Sequence, residues 1–300
     1  MSEAPTRVLV LGDTGMLGSM VRACLSRAPG VVVRTTQRAN PAGPDHFDAL
    51  AAGEPLPALL ASGGGCEVVV NAIGFTQASI RRAEDPEVAR RINSSAEKLN
   101  TELPHRLAAA TREAGARLIH VSTDGVFSGV AGPYDEGARP DPQDLYGRTK
   151  LAGEVQGEHA LTLRCSLVGP EPRRGGGLLE WVRGLAPGAR VPGYVDQLWN
   201  GVTTLQFAKL VEQLLDGRVF RALTAVASIR HFCPNRAVTK HELVRLLAAS
   251  LRPDVVVEPT ESGSRTNRVL TSRWTDLNLL AGAPVPMETA LGELLEEKES

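Results

Sequence analysis

Tyr146 and Lys150 stand four residues apart in Leu145-Tyr-Gly-Arg-Thr-Lys-Leu151. On a helix that spacing puts a phenol and an ammonium on one face. A tyrosine hydroxyl titrates near about 10, so at neutral pH it still holds the proton it could give away. A neighbouring cation favours phenolate, lowers that value and makes the donor stronger. Reduction of a ketone calls for such a group, because hydride delivery to the carbon leaves an alkoxide that needs a proton. Thr123, in Val121-Ser-Thr-Asp-Gly-Val-Phe127, offers a hydroxyl that can orient the carbonyl. A surface helix with a lysine stem packed on a ring gives the same spacing. The preceding Ser122-Thr-Asp124 and the following Leu151-Ala-Gly-Glu154, which leads into a strand, favour the chemical reading.

The hydride needs a source, and the N-terminal region offers a place for one. Leu11-Gly-Asp-Thr-Gly-Met-Leu-Gly18 follows a short apolar strand and opens a helix. In that position Gly12 permits the tight turn and Gly15 the approach of a pyrophosphate. Gly18 permits close helix–strand packing, and the helix N-terminus favours an anion. Thr14, Met16 and Leu17 belong to the same candidate dinucleotide loop. An acid at the end of the second strand would hold ribose hydroxyls; the chain instead has Arg34-Thr-Thr-Gln-Arg38. Arg38, with Thr36 nearby, could neutralise a 2′-phosphate, so NADP(H) is favoured over NAD(H). The competing reading makes Arg34 and Arg38 solvated surface residues. Asp48 fits an adenine-contacting acid or, equally, a loop or helix cap. Asn71-Ala72-Ile73-Gly74 closes the third strand, where ligands of open parallel sheets bind and small residues let a cofactor pass; a simple strand-ending turn is the alternative.

These groups need a frame. Short β-branched runs at 7–11, 31–35, 67–71, 117–122 and 161–165 alternate with helical patterns, the first helix running from Met16 to Ser26. That alternation predicts an α/β fold: a doubly wound parallel sheet, Rossmann-like, with a smaller interleaved C-terminal lobe. A long helical stretch from Pro86 to Gly115 should bend near Pro104. A helix over Thr204–Asp216 should end at Gly217 as its C-cap, and Thr224–Ile229 should return to the sheet. Thr239-Lys-His-Glu242 is a capping box opening a helix to about Leu251. The division expected is 1–166 plus about 204–229 for the NADP-binding domain, and about 167–203 and 230–300 for a substrate lobe.

Composition sets outer limits. The chain has 300 residues, 42% of them apolar, and a net charge of −1, so no bulk electrostatic case exists for nucleic acid. Its four cysteines show no CxxC spacing, and no carboxylate/histidine cluster suggests a metal. No signal peptide or bilayer-length apolar run is visible, so a soluble cytoplasmic protein is the expectation. A homodimer is admitted by the sequence and not dictated by it.

Taken together, the motifs resemble those of the extended short-chain dehydrogenase/reductases, most closely the dTDP-4-dehydrorhamnose reductase branch. The carriers are Gly12-x-x-Gly15-x-x-Gly18, Asn71-Ala-Ile-Gly74, Ser122-Thr-Asp-Gly-Val-Phe-Ser-Gly129 and Tyr146-Gly-Arg-Thr-Lys-Leu-Ala-Gly-Glu154. The resemblance implies a Thr123–Tyr146–Lys150 catalytic set, with Tyr146 and Lys150 also at the cofactor. It implies reduction of a keto group on a nucleotide-activated deoxysugar. Relatives often carry tyrosine where Gly125 stands, a proline before the threonine matching Thr203, and an acid where Asn267 stands. Within the superfamily an epimerase or dehydratase using Asp124 as an added acid is an alternative. A non-catalytic cofactor-binding subunit, as in methionine adenosyltransferase, is another. For the substrate, Asp124, Trp199, Asn200 and Arg268 are the candidates, with an indole face for stacking, an amide for hydrogen bonding and the Arg268 guanidinium to grip a diphosphate by charge-assisted bonds. Arg173 and Arg174 could grip a diphosphate or simply be exposed. His120, inside a strand, reads as core.

Overall fold

A computed structural model describes residues 4–297, except 37, 39–42, 44, 52–55, 77–84 and 173–175. Five strands follow the sequence reading closely: β1 Thr6–Leu11, β2 Val31–Thr35, β3 Val68–Asn71, β4 Arg117–Thr123 and β5 Ala160–Cys165. Four short strands come next, β6 Leu167–Val168, β7 Arg190–Tyr194, β8 Gln197–Trp199 and β9 Val202–Thr203. Then β10 Ile229–His231 rejoins the main sheet, and β11 Val238–Thr239, β12 Val256–Thr260 and β13 Thr266–Asn267 lie outside it.

The main sheet has six parallel strands in the order β10-β5-β4-β3-β1-β2. Its apolar runs are continuous because both faces are covered. Val8, Val10, Val68 and Val70 face one core with Leu205 and Leu210 of the helix Thr204–Leu214. Leu9, Leu11 and Val69 face the other with Leu103 and Leu107 of the helix Leu103–Glu113. Strands buried on both sides lose the alternation of a half-wet sheet, which is why the signal was a solid block of valine and leucine. The order reverses between β1 and β3, and the crevice beyond their carboxyl ends is where a doubly wound sheet takes its ligand.

Three expectations need correction. The long helical stretch is interrupted by a π-helical turn, Glu97–Glu102, between Pro86–Ala96 and Leu103–Glu113; Pro104 sits just inside the latter's first turn, where a missing N–H costs nothing. Gly217 is not a C-cap. It opens a further helix, Gly217–Val226, whose N-cap Asp216 accepts a bond from the Arg218 amide. Thr224–Val226 are therefore helical, and the sixth strand is β10, five residues later than expected.

Outside the sheet, Val168, Leu179, Val182, Trp199, Leu243, Leu247 and Leu291 form a separate core. The Thr239 capping box forms as expected: its hydroxyl accepts from the Glu242 amide and the Glu242 carboxylate accepts from the Thr239 amide, opening Lys240–Leu251. Among the described residues no helix is long and apolar enough to cross a membrane, and no group of His, Cys, Asp or Glu could hold a metal ion.

Candidate active site

The glycine loop sits at the switch point. Gly12 has φ +83°, and a side chain there would lie 3.0 Å from the backbone of Ala72 and Ile73, so β1 and β3 can close only around a glycine. At Gly18 an added Cβ would come within 2.2 Å of the Gly12 carbonyl oxygen. The helix Met16–Arg27 starts at Gly15 with no side chain capping its amides, leaving N–H groups free for an anion. A dinucleotide pyrophosphate fits this cradle. Thr14 and Gly15 are exposed beside it and Met16 is half-buried, whereas Leu17 is a core residue that could present only its backbone.

Other proposed cofactor contacts divide. Arg34 is neither solvated nor free: it pairs with Asp45 at 2.6 Å and donates to the carbonyls of Ser62 and Leu59. Arg38 is exposed, and Thr36 is half-buried just before it. Asp48 accepts from the Leu50 amide at 3.1 Å, the geometry of a loop cap. The Asn71 side chain turns away from the crevice. It is fully buried, meets His120 Nδ1 at 3.1 Å and accepts from the Ile73 amide, so it fixes the loop rather than reaching a ligand. Ala72 and Ile73 are half-buried and Gly74 is exposed along the crevice. His120 is buried as expected, and burial holds its imidazole well below the usual range.

The proton-handling groups converge at the end of β4. Tyr146 and Lys150 lie on Leu145–Ala152, a helix N-capped by Asp144 through the Gly147 amide. Thr123 and Tyr146 flank Gly125, where an added Cβ would lie 3.3 Å from the Thr123 hydroxyl oxygen and 3.6 Å from Tyr146 Cδ1; the Thr123 hydroxyl accepts from the Gly125 amide at 3.0 Å and donates to Asp124 at 3.2 Å. Lys150, 5% exposed, donates to the Val121 carbonyl at 2.5 Å. Burial pushes its ammonium down to about 8, opposed by the Glu154 carboxylate.

The phenol departs from expectation. Burial raises it to about 12, the Asp124 charge adds to the rise, and only the Thr123 hydrogen bond opposes. In the chain as it stands, Lys150 is tethered to the strand carbonyl and does not lower Tyr146. A phenol at about 12 still carries its proton at neutral pH, so the donor is present without the expected activation.

Asn100 is a residue the sequence reading missed. It sits in the π turn, fully buried, with its oxygen accepting from the Phe75 amide and its amide donating to the Phe75 carbonyl and the Thr149 hydroxyl. It thereby ties the segment after β3 to the helix carrying Tyr146 and Lys150. The only sequence signal was a polar residue on a helical face otherwise marked for burial, and π turns concentrate near functional sites.

On the substrate side the candidates separate again. Both ends of the Asn200 carboxamide are spent on the Leu270 backbone, at 2.8 and 2.9 Å, so it is a structural clamp and not a free ligand contact. Trp199 is 4% exposed with an unpartnered ring N–H, and with Met16, Ser166 and Lys240 it lines a cavity below the glycine loop. Asp124, 8% exposed, is held above the usual carboxylate range by burial, with Arg268 and Lys240 pulling it back. Arg173 and Arg174 lie outside the described residues.

The chain is 33% identical over 223 residues to a probable low-salt glycan biosynthesis reductase, Agl14, of Haloferax volcanii, covering 70% of this chain and 71% of that protein. It is 34% identical over 164 residues to the dTDP-4-dehydrorhamnose reductase of Mycolicibacterium smegmatis, where the match spans 51% of this chain but only 46% of the relative. The fold superposes on the NADP complex of dTDP-4-dehydrorhamnose reductase from Bacillus anthracis with TM-score 0.75 and 19% identity, over 98% of this chain and 99% of that one. A family model for the RmlD substrate binding domain runs over residues 6–278, nearly the whole described chain, and the protein belongs to that family.

Proposed function

We propose that this protein is an NADPH-dependent reductase of a keto group on a nucleotide-activated deoxysugar. The observation that carries the proposal is the juxtaposition of Thr123 and Tyr146 around Gly125 at the carboxyl end of β4, next to a glycine cradle at the switch point. The reductase relatives support the same reaction class. A bound nicotinamide dinucleotide supplies the hydride. Thr123 holds the carbonyl oxygen, and Tyr146 gives it the proton. Lys150 supplies positive charge beside the phenol and reaches the ribose hydroxyls once it leaves the Val121 carbonyl. We assign 1–166 plus about 204–229 to the dinucleotide and about 167–203 and 230–300 to the substrate. The decisive assay is NADPH oxidation across a panel of nucleotide 4-ketosugars: a reductase consumes the cofactor stoichiometrically, and an epimerase leaves it unchanged.

Two further outcomes are expected. Burial depresses Lys150 and raises Tyr146, so the alkaline side of the kcat/KM profile belongs to the lysine. The ammonium is present below about 8 and lost above it, whereas the phenol keeps its proton far beyond. A limb near pH 8 that moves upward in Lys150→Arg supports this; a limb near 10 in both proteins contradicts it. For the cofactor, Arg38→Ala should raise KM for NADPH at least about tenfold and leave NADH within about twofold, the loss of one charged hydrogen bond. Equal effects on both cofactors would remove Arg38 from the 2′-phosphate site.

A further inference from the structure

The sequence reading passed over Lys240 except as part of a capping box. The structure gives it a different prominence. Strand β11 pairs with β8, Val238 opposite Trp199, so the first residue of the following helix rises over the indole. The Lys240 ammonium stands 4.7 Å from the Trp199 ring centre. Beneath both lies the cavity that reaches Met16 of the glycine loop. On the other side of β8 runs β13, Asn267 opposite Leu198, and Arg268 follows it with its amide on the Leu198 carbonyl at 3.3 Å; the Arg268 stem lies beside Gly129, and its Nε is buried with no hydrogen-bond partner.

The donors here lack acceptors. Among the described residues, neither the three N–H groups of the Lys240 ammonium nor the Arg268 guanidinium makes a hydrogen bond or ion pair. The carboxylates in electrostatic reach are already engaged. Asp124 accepts from Thr123, and Asp141, which Arg268 also senses, takes both the amide and the hydroxyl of Ser128. Two half-buried cations beside one buried carboxyl leave this wall with an excess of positive charge, which an anion would offset. Trp199 adds a buried ring N–H with no partner to the same wall. Asp124 directly follows Thr123, so this wall adjoins the groups that handle the carbonyl.

We infer that Lys240 and Arg268 form an anion-binding pair that takes a negatively charged group of the substrate, with the Trp199 ring as its floor. The inference rests on the reductase reading for its substrate class. A nucleotide sugar offers two sources of that charge, the diphosphate and a carboxylate on the sugar ring. Either would be gripped by charge-assisted hydrogen bonds.

The test is calorimetric titration of the full-length protein, wild type, Lys240→Met, Arg268→Met and Lys240→Arg, with UDP, dTDP, UDP-glucose and UDP-glucuronate. If the pair holds a diphosphate, both methionine variants bind every one of these ligands at least tenfold more weakly. If it holds a carboxylate, only UDP-glucuronate weakens. Lys240→Arg keeps most of the affinity in either case. Unchanged binding in both methionine variants, beside clear binding by the wild type, overturns the anion pair and leaves the reductase reading standing. A wild type that binds none of the four overturns both. Thermal melting of each variant identifies a folding defect, and two variants on separate elements guard against one being lost to it.

Discussion

Tyr146→Phe is expected to lower kcat at least about a hundredfold, the usual loss when a general acid is removed. The change deletes one oxygen and keeps the ring. The neighbouring Thr123 hydroxyl would still be held by Gly125 and Asp124. The site should therefore keep its shape, and NADPH affinity should stay within a few-fold. The loss should appear in kcat and kcat/KM together, the mark of an interaction made in the transition state. Thr123→Val should cost less, because it removes an orienting bond and leaves the donor. Near-normal turnover in Tyr146→Phe would mean that the proton comes from elsewhere, with Asp124, whose carboxyl burial shifts toward the protonated form, the first group to test.

The frame of this site was legible because its signals are local. A glycine at φ +83° against a neighbouring strand, a helix opened without a side-chain cap, and valine blocks buried on both faces each leave a mark within ten residues. The Tyr146–Lys150 pair is of the same kind, since a helix fixes it. The electrostatic state of that pair was not legible. It depends on Lys150 meeting the Val121 carbonyl and on Tyr146 meeting Thr123 and Asp124, all contacts between elements.

The substrate side shows the same divide. Asn200 looked like a ligand contact because an amide beside a tryptophan usually has somewhere polar to go; Leu270, seventy residues later, is where it goes. Arg34 looked free until Asp45 and Ser62 folded beneath it. Lys240 entered the sequence reading only as part of a capping box, and its meeting with Trp199 depends on a strand pairing across about forty residues. Polar residues advertise their need for partners in the sequence but not which partners the tertiary fold will bring.

The largest stability effect should come from Glu154→Ala. Glu154 and Arg164 form a two-pronged ion pair with both contacts at 2.7 Å, and their side chains are only 4% and 6% exposed. Ser122 donates to the same carboxylate at 2.7 Å, and the Arg164 guanidinium lies over the Phe127 ring, 5.4 Å from its centre. Removing the acid strands a guanidinium in the interior, and breaking one side of such a pair costs about 3–5 kcal/mol. Urea unfolding of the variant should show a loss of that size with little change in slope. The combined Glu154→Leu, Arg164→Met protein should regain much of it, because two apolar side chains need no charge partner. A loss under about 1 kcal/mol in the single variant would mean that the pair is less desolvated than its burial indicates. The same substitution carries a functional signature that a purely structural role lacks. Glu154 is the carboxylate that opposes the burial of Lys150. Without it the ammonium is harder to keep, so the alkaline limb of kcat/KM should move to lower pH in both the single and the double variant, even where stability is restored.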